Sequence, residues 1–196
     1  MTFAGSPGDD RKYELVPDLQ TRVWDWTLYR IRALKDFGPV KAGTLGGFVA
    51  STRNLSQDGD CWVADDACVY DEAFISCDAQ IRGLACVYGR ARIFDKGQVL
   101  GCAHVFNDAW VFKNGIVFDS ALVFGHAQVR DNGLVFGRAR VSGFVRIIGS
   151  GEVGGDLRLD GRKVVGGDEE VKRSGSDRPP QGGRRSRPPS PRAPRP

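Results

Sequence analysis

The chain has 196 residues, 41% hydrophobic and 27% charged, which is enough for one ordinary domain plus a tail. No run of 18 or more apolar residues occurs, so no transmembrane helix is expected, and the opening MTFAGSPGDDRKYEL shows neither the apolar stretch nor the cleavage site of a secretory signal. The formal charge of +4 averages two unlike parts: residues 172–196 hold eight Lys/Arg and one acid, whereas the rest of the chain carries 20 basic and 23 acidic side chains. Nucleic acid is therefore expected only as a nonspecific contact of the tail.

In chain order, residues 1–11 read as a disordered N-terminus and residues 12–60 as a β cap. KYELV and TLYRIRAL have strand character and are joined through VWDW, which predicts a hairpin. GPVKAGTLGGF follows as a Gly-rich loop. A repeat array needs such a cap, because its first core layer and its strand edge are otherwise exposed. Trp24, Trp26, Leu28, Ile31 and Phe37 are the candidate packing residues; a separate binding domain is the alternative.

Residues 61–167 carry an internal repeat. From Val63 in steps of six to Val165, all eighteen positions are aliphatic, and all but Leu159 are β-branched. Two residues before each stands a small residue, from Ala67 to Ala139, with Gly at 97, 115, 133 and 151. Two residues after each stands Gly, Asp or Asn, with Cys77 and Lys113 as the exceptions. The reading is a short strand pointing its small and aliphatic residues inward, followed by a corner that requires positive φ. The glycines, and the aromatics Tyr70, Tyr88, Phe106 and Phe124, recur at every third hexad, so three hexads close one coil. This predicts an all-β fold, a triangular parallel β-helix of about six coils and roughly 29 Å in height. Residues 168–196, rich in Pro, Arg, Ser and Gly, read as a disordered basic tail, either solubilising, a polyproline ligand or a polyanion contact.

Hexads of this kind resemble the left-handed β-helix of the hexapeptide-repeat acyltransferases. The segments LYRIRALKDFG, VKAGTLGGF and NLSQDGDCWV are similar to the head of the YdcK-like hexapeptide-repeat proteins of bacteria and phages, and the resemblance covers roughly residues 12–165. It implies the left-handed sense of the coil. It also implies acyl transfer from acetyl-CoA or another acyl-CoA, a histidine general base and a threefold trimer with CoA between subunits.

Only two histidines are present, His104 at an outward strand position and His126 at a corner, and these are the candidate catalytic residues. Against catalysis stand hexads without a single inserted loop; an unbroken wall offers little concavity for a small molecule. Cys68, Cys86 and His104 share one outward column and form a weak metal candidate that lacks a fourth ligand. Five cysteines without a CxxC pair suit reduced thiols in a cytoplasm. No Thr occurs between 62 and 167, which excludes the threonine ranks of an ice-binding solenoid.

The outward columns are more telling. Tyr70, Tyr88, Phe106 and Phe124 fall on one face, Trp110 and Phe112 on a second, and Phe118 and Phe136 on a third; apolar patches of this size mark interfaces. Arg138, Arg140, Arg146 and Arg158 give a basic end that suits an anion such as a CoA phosphate. The reading is a scaffold that requires no cofactor, self-associates, with a trimer favoured, and binds a protein partner; the alternative is a CoA-dependent acyltransferase.

Overall fold

Hexads of alternating inward and outward residues can only close on themselves if every sixth residue turns the chain, and the corners do so. A computed structural model of the chain describes residues 10–167 and 170–172. The disordered tail expected at 168–196 lies outside the described residues except for Glu170–Lys172, and the disordered N-terminus expected at 1–11 lies outside them except for residues 10 and 11.

Two antiparallel strands come first, β1 (Tyr13–Val23) and β2 (Trp26–Ala33), with one register shift between Val16 and Gln20. The third strand, β3 (Leu45–Val49), pairs antiparallel with β2 on one side and parallel with β5 (Cys68–Val69) on the other. It therefore converts the hairpin into a solenoid. Gly46 and Gly47 make the junction possible. A Cβ on Gly46 would lie 2.5 Å from the Trp62 ring, and one on Gly47 would lie 2.5 Å from the Ala67 carbonyl oxygen.

From β4 (Trp62–Val63) to β22 (Glu170–Lys172) each hexad supplies one short strand. Partners lie three hexads apart in parallel register, as in Gln80, Gln98 and Ile116. The result is a parallel β-helix with three faces. The first face is lined inside by Val49, Val69, Val87, Val105, Val123, Val141 and Leu159; the second by Ile75, Ile93, Val111, Val129, Ile147 and Val165; the third by Val63, Ile81, Val99, Val117, Val135 and Val153. These aliphatics and the small residues between them form one continuous core, nearly all of it fully buried.

The third face stacks seven strands, so the solenoid has about seven turns, not six. On the third face the added strand is β22 at the far end, and on the first face it is β3 in the first turn. Val49 pairs with Val69 and Leu55 bridges Ile75, each two positions further along than three hexads, because two extra residues sit between Leu55 and Val63. The insertion breaks the phase, and a count in sixes begins only after it.

The cap closes the bottom of the core with polar anchors. Tyr13 Oη donates to the Leu55 carbonyl at 2.7 Å. The Lys12 ammonium, fully buried, donates to the carbonyls of Asp58, Gly59 and Cys61 at 3.3, 3.1 and 3.0 Å and lies over the Phe37 ring. Three carbonyls thus replace the water that a buried ammonium would otherwise lose. Leu28, Ile31 and Phe37 pack as expected, but Trp24 and Trp26 do not: they sit at the hairpin turn, away from the core, 85% and 40% exposed. The turn projects beyond the solenoid, so strand alternation there has no core to face.

Candidate functional site

Because the register repeats every rung, each outward position becomes a column of side chains about 4.8 Å apart. That spacing equals the stacking distance of aromatic rings. On the first face Tyr70, Tyr88, Phe106 and Phe124 form a continuous stack, with centroids 5.1, 4.9 and 4.9 Å apart and planes within 5°. Tyr70 is covered by Leu28 and Val23 of the hairpin; the three rings above it are half-buried, mainly by one another. On the second face Phe94 stacks on Phe112 at 4.8 Å, and Trp110 meets both edge-on. On the third face Phe118 stacks on Phe136 at 5.3 Å.

His104 and His126 occupy different settings. His104 stands in the sheet between Cys86 and Leu122, half-buried, with its ring edge-on to Tyr88 at 6.4 Å. Burial holds its pKa below the usual value of 6.5. His126 is an exposed corner residue whose imidazole stacks on Phe144 at 4.9 Å.

The expectation of a wall with little concavity needs correction. His126 lines a groove of about 560 Å³ at the junction of the first and second faces, together with Arg90, Arg92, Asp108, Trp110, Gln128, Phe144 and Arg146. A second groove, of about 500 Å³, continues past Asp108 and His126 to Asp71 and Glu72. The concavity lies between two columns rather than behind a loop. Arg92, Trp110, Gln128 and Arg146 form one column, paired strand by strand. Arg90, Asp108, His126 and Phe144 stand beside it at the same corner of successive rungs. Arg90 bonds the Asp108 carboxylate at 2.8 Å, so the carboxylate one rung below His126 is engaged already. Among the described residues Arg92 and Arg146 have no ion-pair partner, and they leave the groove cationic beside an aromatic floor.

Stepping three hexads from His126 gives Phe144 above it and Asp108 below; Arg92 and Gln128 were not singled out from the sequence, yet the same step from Trp110 would have found them. The four arginines read as a basic end separate in space. Arg146 lines the groove. Arg140 and Arg158 are neighbours on the first face. Arg138, at another corner, is paired with Asp156 at 2.6 and 3.0 Å.

Cys68, Cys86 and His104 stand on consecutive rungs of the first face. The hydrogen bond to Cys86 and burial both push the Cys68 thiol up, away from a ligating thiolate. Among the described residues no three His, Cys, Asp or Glu side chains are arranged to hold a metal ion, and the five thiols are free. No helix among them is long and apolar enough to cross a membrane.

No family model matches the chain. Over 57 residues, 29% of the chain, it is 40% identical to a protein of Escherichia coli (strain K12) named "Uncharacterized acetyltransferase YdcK". The chain spans 18% of the length of that relative. The match and the solenoid together fit the resemblance to the YdcK-like hexapeptide-repeat proteins read from the sequence.

Proposed function

We propose that the chain is a non-catalytic β-helix scaffold that self-associates, with a trimer favoured, and that binds a protein partner through its aromatic outer faces. The carrying observation is the stack of Tyr88, Phe106 and Phe124 on the first face, three rings left half-exposed among the described residues. Rings stacked rung on rung along a rigid wall make a regular apolar strip. Such strips suit a symmetric contact between copies. A cytoplasmic location belongs to this reading, since five free thiols suit a reducing compartment. Light scattering tests it. The wild type should exceed its 21.4 kDa chain mass, and Phe106→Glu with Phe124→Glu should return it to that mass without loss of the β circular dichroism. A monomeric wild type sinks the reading.

A second reading, CoA-dependent acyl transfer, is supported by the printed name of the relative and by the cationic groove at His126. Here His126 would serve as general base, and acetyl-CoA or another acyl-CoA would be the donor. Saturable micromolar binding of acetyl-CoA by calorimetry, lost in Arg92→Ala with Arg146→Ala, would favour it. No heat at millimolar CoA would remove it.

A further inference from the structure

The hairpin turn shows a side chain where the backbone resists one. Val23 pairs with Trp26, so Trp24 and Asp25 alone make the turn. Trp24 has φ 54°. A two-residue hairpin turn with positive φ at its first position favours Gly there. A bulky residue in that region is an outlier that costs about 1–2 kcal/mol. Burial offsets such a cost elsewhere in proteins, but among the described residues nothing covers Trp24, which is 85% exposed. Trp26 stands exposed beside it. A shallow polar groove of about 300 Å³ lies on the strands behind the turn, lined by Gln20, Thr21, Arg22 and Thr27. Strain is stored at functional sites and tryptophan is enriched among the residues that carry binding energy, so the turn is a candidate binding anchor.

We infer that this tryptophan turn is the docking site of the chain's own Pro/Arg-rich segment, residues 173–196, within the same molecule. The segment holds seven Pro and seven Arg. Its proline-rich stretches favour polyproline II, a preformed shape that packs on aromatic side chains with little entropy cost. Its guanidinium groups stack on indole faces. Charge agrees as well: one acid of the turn, Asp25, adjoins the exposed Trp24 and Trp26 and meets a segment with seven Arg and a single acid, Asp177. Reach permits it. The segment follows β22 at the end of the solenoid opposite the hairpin, about eight strand steps or roughly 38 Å from β2. In polyproline II a segment of this length spans about 74 Å. Tethering sets an effective concentration on the order of millimolar, so an intrinsic Kd near ~100 µM gives about nine-tenths occupancy.

The test is the rate of tryptic cleavage at Arg185–Ser186 in the full-length protein, compared with full-length Trp24→Gly, Trp26→Ala. Glycine suits the turn backbone, so the variant keeps its fold, and the β circular dichroism checks that it does. Nine-tenths occupancy predicts cleavage roughly tenfold faster in the variant, at a ratio unchanged over a tenfold range of protein concentration. Equal rates overturn the proposal. Protection that grows with protein concentration overturns it in favour of capture by a second copy. Equal rates with wild-type binding to phosphatidylcholine vesicles overturn it in favour of a lipid surface.

Discussion

At each corner of the solenoid one residue must adopt positive φ, and all eighteen residues two places after the aliphatic positions do so, from Asp65 at 56° to Gly167 at 67°. Asp there has a second use. The carboxylates of Asp65, Asp95 and Asp119 accept the backbone N–H of the corner residue one rung above, at 2.9, 3.3 and 3.0 Å. Cys77, at φ 58°, brings no such bond and presents an exposed side chain. Cys77→Gly is therefore expected to stabilise by about 1 kcal/mol, and Gly125→Ala, at φ 69°, to destabilise by about as much, both read from urea midpoints. The same scale sets a pH response. His104 holds its pKa below 6.5 because burial disfavours the imidazolium. The unfolded chain then binds the proton more readily than the folded one. Stability should be complete above 6.5 and fall as pH drops from there through the depressed folded pKa. His104→Gln should flatten that part of the urea-midpoint profile; an unchanged slope would show that the imidazole does not titrate against the fold.

Among the elements, the cap carries the chemistry that hexads cannot supply. The two extra residues of the first turn leave a loop whose carbonyls point inward, and Lys12 binds three of them. Lys12→Met keeps most of the volume but strands those carbonyls, so it should cost about 2–4 kcal/mol, with faster amide exchange at Cys61. A loss confined to a few tenths would mean that water replaces the ammonium. Here lies the boundary of what sequence made legible. Val63 to Val165 announce their place by the hexad and their face by every third hexad, because each rung repeats the same local problem. Tyr88, Phe106 and Phe124 follow from the same arithmetic. Val49 and Leu55 hid behind a two-residue shift. Lys12 solves a problem that occurs once, and a residue that answers a single geometry leaves no period to find. The groove at His126 was half legible: the corner position came from the count, but the concavity arises from the side-chain lengths of two adjacent columns, which a count does not contain.

For the whole molecule, stacking makes stability nearly one-dimensional. Each rung rests only on the rungs above and below, and its backbone hydrogen bonds reach the next rung and no further, as in Tyr88 N–H to the Val105 carbonyl and Ser142 N–H to the Leu159 carbonyl. The two ends differ. At the hairpin end Tyr13, Ile31 and Trp62 seal the core completely. At the other end Leu159 and Val165 retain some exposure, and Val164 is exposed. Unfolding should therefore begin at the far end and travel toward the hairpin. A buried charge placed at the far end, and another at the middle, separates local from global loss. Val165→Asp should release only the last rungs, leaving hydrogen exchange from Val63 to Val123 as slow as in the wild type. Val105→Asp interrupts the array at its middle, where the carboxylate meets Val87 below and Val123 above. The cost of an unpaired buried charge, above about 4 kcal/mol, then falls on rungs that cannot detach without dividing the core. Exchange should accelerate on both sides of it, and the thermal transition should broaden or disappear. Equal damage from the two substitutions would mean that the solenoid folds as one cooperative block, and that the cap communicates its stability over the full height of the stack.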